Sequence, residues 1–237
     1  MAFRAKAAIV LVFIASQGIT QAQELSFRVR HDHWRKGNAG TLTFAEDGIR
    51  WEEDGHAKHS RSWFFPEIQR LELSPESVRI LTYEDVGWQL GRDREYVFDH
   101  LPSDLATRVH PFLSMSMDQR YLAHLADPEV KPTWEVPGKL LLGRSGSNGQ
   151  LKVAVDHIVF AGAGHGESRT WKLSEITEVN SEDPFELTLT TIEGENRIQL
   201  KEALSDDRYQ ELWRRVSSLH GLNVFGLTNH EHGEPTR

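Results

Sequence analysis

Ser60-Arg61-Ser62-Trp63-Phe64-Phe65-Pro66-Glu67-Ile68 and Ser168-Arg169-Thr170-Trp171-Lys172-Leu173-Ser174-Glu175-Ile176 are two versions of one stretch, 108 positions apart. The Ser-Arg step, the tryptophan and the Glu-Ile pair recur at the same spacing. The likeness spreads outward. Gly40-Thr41-Leu42-Thr43-Phe44, with Asp47 and Ile49-Arg50-Trp51 after it, matches Gly149-Gln150-Leu151-Lys152-Val153, Asp156 and Ile158-Val159-Phe160 at an offset of 109. Val78-Arg79-Ile80-Leu81-Thr82 likewise matches Leu187-Thr188-Leu189-Thr190-Thr191. Each copy then closes on apolar residues at i, i+4 and i+7, one stripe of a helix: Leu105, Val109 and Phe112 in the first, Leu212, Val216 and Leu219 in the second. The order of elements is the same in both, so one β-rich unit is used twice.

The chain ends fall outside this unit. Arg4 and Lys6 precede an unbroken apolar run from Ala7 to Ala15, and Thr20-Gln21-Ala22 supplies small residues. That layout predicts a secretory signal peptide over residues 1–22, with cleavage expected near Ala22. The run is about half the ~20 residues a spanning helix needs, which argues against an anchor. The expected location is extracytoplasmic, periplasmic or secreted. Loss of residues 1–22 removes two basic and no acidic side chains, taking the formal charge from −8 to −10. A surplus of acid argues against nucleic acid as a partner. There is no cysteine, so neither disulfides nor thiolate chemistry are available. Stability must come from burial, for which seven tryptophans and eleven phenylalanines provide the anchors.

Alternation of apolar and polar residues predicts strands over 25–30, 41–45, 48–53, 59–65, 68–73, 77–83 and 95–99. Asp54-Gly55 marks a tight turn, and Pro66 and Pro75 stand at breaks where proline is tolerated. Ser103 is placed to cap the first helix. Pro111 should kink or break that helix, at a cost of about 3 kcal/mol, with a second helical piece running to about Ala126. The second helix, from Ser205 to about Leu219, is free of proline and stops at Gly221. The expected division is a first module over 23–117, a helical extension and linker over 118–133, a second module over 134–221, and a disordered tail over 222–237.

Several strands followed by one helix, with Trp63-Phe64-Phe65-Pro66-Glu67-Ile68 and Trp171-Lys172-Leu173-Ser174-Glu175-Ile176 turning the chain between strands, resembles the pleckstrin-homology-like superfold. It is especially similar to its GRAM-like and bacterial members, and to exported bacterial proteins with paired modules of this kind. The resemblance covers about 25–117 and 134–220. It implies a mainly β (α+β) fold of two tandem barrels or sandwiches, each closed by its C-terminal helix. It implies binding of head groups, peptides or proteins rather than catalysis.

Candidate sites are sparse. Arg28, Arg30, His31, His33, Arg35 and Lys36 gather on the first strand and loop of the first copy, where lipid-binding relatives hold phosphate head groups. Against this stands the weaker basic set of the second copy, Lys139, Arg144 and Lys152. His31 with His33, and His56 with His59, near Asp32 or Glu53, have the chemistry of zinc ligands, but spacing alone brings no two pairs together. No metal, cofactor or catalytic residue is therefore expected. The glycine run Gly162 to Gly166 lies between strands and reads as a hairpin turn, as does Gly143 to Gly149, since phosphate cradling needs a helix N-terminus. Repeat-matched Trp63, Trp171, Glu67, Glu175, Ile68 and Ile176 read as structural. The first copy also has a longer hairpin, Glu84 to Arg94, in which Trp88, Leu90 and Arg92 are candidate partner contacts. The expectation is a non-enzymatic binding or scaffolding protein of the cell envelope, with protein partners or membrane head groups.

Overall fold

The computed structural model describes residues 24–31, 37–87, 91–118, 120–164 and 166–221. The expected signal peptide and tail lie outside the described residues, as do Asp32, His33, Arg35, Lys36, Trp88, Leu90 and His165. The first half of the chain forms β1 (Leu25–His31), β2 (Asn38–Ala45), β3 (Gly48–Glu53), β4 (Arg61–Phe64), β5 (Ile68–Leu73), β6 (Val78–Asp85), β7 (Asp93–Asp99) and α1 (Leu105–Ser116). A short strand, β8 (Tyr121–Ala123), follows. The second half forms β9 (Trp134–Leu142), β10 (Ser145–Val153), β11 (His157–Gly162), β12 (Arg169–Lys172), β13 (Glu178–Asn180), β14 (Glu186–Thr191), β15 (Gly194–Leu200) and α2 (Asp206–Leu219). No helix among the described residues is long and apolar enough to cross a membrane.

Among the described residues, fifteen strands join one mixed, open sheet, in the order β13-β14-β15-β9-β10-β11-β12-β8-β5-β6-β7-β1-β2-β3-β4. The strands do not close into barrels. Within the sheet, the first half runs 4-3-2-1-7-6-5 from its outer edge inward, and the second half repeats that order from the centre outward. The single strand between them is β8. It runs parallel to β5, with Leu71 opposite Tyr121 and Leu73 opposite Ala123, and antiparallel to β12, with Thr170 opposite Ala123. A helical extension was expected over 118–133. The chain is extended there because Tyr121, Leu122 and Ala123 are all buried between two sheet edges, which outweighs local helix preference.

Two hydrophobic clusters lie beneath the sheet. The first holds Phe44, Ile49, Trp51, Trp63, Ile68, Leu71 and Phe98, and also Tyr121 and Leu125 from the linker. The second holds Val136, Leu151, Phe160, Trp171, Ile176, Leu187 and Ile198. The repeated glycines mark close backbone approach. A Cβ on Gly40 would lie 2.3 Å from the Glu52 carbonyl oxygen, and one on Gly149 would lie 2.1 Å from that of Ala161.

The repeated Glu-Ile step also has a physical reason. After each of the strands β4 and β12 the backbone makes one 3-10 turn, and the glutamate three residues on accepts a free N–H. Glu67 Oε2 accepts from Phe64 N at 2.8 Å, and Glu175 Oε2 from Lys172 N at 3.3 Å. Ile68 and Ile176 then drop fully into their cores.

Helix α1 buries Leu105, Val109 and Leu113, while Phe112 is only partly covered. Pro111 does not break it; the helix is continuous to Ser116, and the apolar stripe on either side offsets the lost hydrogen bond. Ser103 is not its cap, since the N-cap position falls to Asp104, whose side chain makes no cap bond. In α2, Ser205 does cap, accepting from Arg208 N, and Gly221 turns the chain away at a φ of 74°. Each helix lays an arginine over an aromatic ring of its half's first strand: Arg108 over Phe27, and Arg208 over Trp134.

Candidate functional site

The two halves leave a cleft of about 730 Å3 between α1 and the end of α2. Its floor is β8 and β12. One wall carries His110, Pro111 and Met115, the other Val155, His157, Leu173, Glu175 and Leu219. Three of the large exposed apolar side chains of the described residues, Met115, Val155 and Leu219, stand at this cleft, 84%, 70% and 56% exposed. Leu219, which helical spacing assigned to the core stripe, is therefore on the cleft side.

A chain of titratable groups lines the cleft from one wall to the other. His110 Nδ1 lies 2.7 Å from Tyr121 Oη. Burial raises the Tyr121 pKa well above its ordinary value, so the phenol keeps its proton and donates it to Nδ1. Burial also lowers the pKa of His110, with Asp127 opposing and His157 and Lys172 reinforcing the shift. The neutral ring must then carry its proton on Nε2, which faces Asp127 Oδ2 at 4.0 Å. On the far side of Asp127, His157 Nε2 approaches the same oxygen to 3.5 Å, an ion-pair separation without hydrogen-bond geometry. His157 Nδ1 is 2.7 Å from Asp156 Oδ1.

Lys172 and Glu175 sit beside this chain. Lys172 Nζ donates to the Met117 carbonyl at 2.9 Å, and its burial lowers its pKa. Burial is also the largest influence on Glu175, whose pKa rises to about 7 although Lys172 pulls it down. Both shifts favour the uncharged forms, as expected where water is excluded. At the seam, Glu193 accepts from Arg169 at 3.2 Å and lies 3.4 Å from His124 Nε2. Burial raises the Glu193 pKa, but His124 and Arg169 outweigh it and hold the carboxylate below its ordinary range.

Of the basic set predicted on the first strand and loop, Arg28, Arg30 and His31 lie among the described residues. Arg28 and Arg30 point outward, whereas His31 is buried among Trp51, Tyr96 and Phe98, because successive residues of a strand face opposite sides. Arg28 is held by both carboxylate oxygens of Asp54. His59 does meet Glu53, Nδ1 to Oε1 at 3.0 Å, and the His56 ring is 5.5 Å from that of His59. Among the described residues, no group of three or more potential ligands is placed to hold a metal ion. Arg92 closes the long hairpin, its carbonyl accepting from Val86 N. The cleft residues His110, Tyr121 and Asp127 carried no signal in the sequence; they come from a helix, a strand and a linker that only the folded sheet brings together.

No family model and no curated protein matches the chain. Among solved structures, the C-terminal domain of an unknown protein from Leishmania infantum is similar over 36% of this chain and 84% of its own, at 13% identity and a TM-score of 0.31. The Spt16D Pob3N heterodimer is similar over 72% of this chain and 84% of that one, at 16% identity and a TM-score of 0.33. Likeness at that level carries no argument about fold relationship or function. What stands, over the described residues, is a mainly β fold with one large open sheet and two α-helices.

Proposed function

We propose that this is a non-enzymatic binding protein of two pleckstrin-homology-like modules, which holds an amphiphilic small molecule in the cleft between α1 and α2. The module reading is supported by the repeated strand order and by the helix that follows the seventh strand in each half. The binding reading rests on one observation: a cleft of about 730 Å3 with the exposed apolar side chains of Met115, Val155 and Leu219 at its mouth and His110, Asp127, His157 and Lys172 deeper within it. Such a division suits a ligand with an apolar body and one polar head, the usual chemistry of a concave site. The body would lie against Met115, Val155, Leu173 and Leu219, and the head would meet His110, Asp127, His157 and Lys172. Export is part of the proposal and is read from residues 1–22 alone; N-terminal sequencing of the mature protein tests it.

Native mass spectrometry of untagged protein is the first test of the cleft, followed by titration with dodecanoate and with dodecylammonium. One of the two should bind, and the sign of its head should show whether Lys172 or Asp127 dominates the floor. Met115→Glu with Leu219→Glu should weaken that binding at least ~10-fold, since each places a charge where an apolar chain must lie. Absence of any retained small molecule, together with no binding of either amphiphile, would sink the reading.

A further inference from the structure

We propose that the outer edge of β4 is a docking site for an extended segment of a partner protein, which adds to the sheet as an antiparallel strand. The molecule contains the precedent. Strand β12 is the repeat counterpart of β4, and its outer edge is already covered in this way by β8. At that covered edge Thr170 is buried; its Oγ1 donates to the Leu125 carbonyl at 2.8 Å and accepts from Asp127 N at 3.1 Å. The counterpart of Thr170 is Ser62, a hydroxyl residue at the same register position, and it is exposed. Among the described residues no strand pairs with the outer side of β4. An open ladder edge offers backbone donors and acceptors to any extended chain of suitable side chains, a recurring mode of peptide capture.

The neighbours of Ser62 define that chain. Arg169 in the second half finds a carboxylate, Glu193. Its counterpart Arg61 donates to the Lys58 and Ser60 carbonyls instead. The glutamate that corresponds to Glu193 is Glu84, and it is engaged by Arg94 and Tyr96. Two residues beyond Thr170, Lys172 reaches a carbonyl, whereas its counterpart Phe64, two beyond Ser62, presents a ring that is 53% exposed. The occupant is therefore an extended segment with a small residue opposite Ser62, as Ala123 is opposite Thr170. It carries a carboxylate within reach of Arg61 and an apolar side chain against Phe64. A second copy of the chain is a poorer candidate, because the one segment known to fit such an edge, β8, is already committed on both sides.

The probe is a labelled, end-capped peptide with the sequence of residues 120–127, titrated into the full chain and followed by hydrogen exchange. Binding with new protection of the Ser62 amide, the outward N–H of β4 that no neighbour among the described residues takes, is the expected result. Arg61→Glu and Phe64→Lys should each weaken it at least ~10-fold while circular dichroism stays unchanged. A peptide with proline in place of the residue matching Ala123 should not bind, since proline removes a ladder donor. No binding of the parent peptide overturns the proposal, as does new protection confined to β12 or β5. A doubled mass with protection of β4 in the absence of peptide also overturns it, in favour of pairing between copies.

Discussion

Glu67 and Glu175 occupy the same place in the same motif, and each accepts the N–H three residues back. Glu67 does so in solvent. Glu175 does so buried at the cleft, beside Lys172, and its carboxyl is pushed up to about 7. The difference arises from position in the sheet. The outer copy of the motif ends a free edge, whereas the inner copy is roofed by the neighbouring half. A structural glutamate thereby becomes a group that changes charge near neutral pH, with no change in its local bonding. Repetition of a residue is therefore good evidence for its packing role and poor evidence about its chemistry.

That equivalence can be broken at the tryptophans, where the largest effects should lie. Trp63 and Trp171 are 2% and 3% exposed, so Trp63→Ala and Trp171→Ala should each cost about 3–5 kcal/mol in urea unfolding. Losses that differ by more than ~2 kcal/mol would show that the two motifs do not bear equal structural weight.

The glutamates sharpen the comparison. Glu175 holds its proton more tightly in the folded chain than at its ordinary value of 4.5, so its contribution to stability is complete below that value. It is lost as pH rises through about 7. Glu175→Gln keeps an acceptor for Lys172 N and removes the charge. The variant should therefore exceed the parent in stability at pH 8 by about 1–3 kcal/mol, and the gap should shrink toward pH 5. Glu67→Gln is the reference from the exposed copy. A pH-independent effect at Glu175 would mean that the inner carboxyl is not shielded from water.

Smaller differences are expected at the hydroxyls. Thr170→Val removes a donor and an acceptor that tie β12 to residues 125–127 and should cost about 1–3 kcal/mol. Ser62→Val, on the uncovered edge, should stay within ~0.5 kcal/mol of the parent.

Much of the fold was legible in the sequence because the strands alternate cleanly. The ranges 48–53 and 68–73 coincide with β3 and β5, and Asp54-Gly55 with the turn between β3 and the next 3-10 segment. What was not legible depends on distant pairing. Tyr121-Leu122-Ala123 is too short to alternate and is buried on both faces; its partners lie about fifty residues away in either direction. Barrel closure was an inference from resemblance, and the sheet remains open. The cleft was illegible for the same reason as β8. His110 sits within a helix and Asp127 in a linker, and only the seam places both against His157.

Because β8 is stitched to β5 on one side and β12 on the other, and its Tyr121 is built into the first core, neither half can melt without fraying the other's boundary. Heating should give one cooperative transition rather than two. During synthesis, the second half would assemble its inner edge on a seam that the first has already laid down.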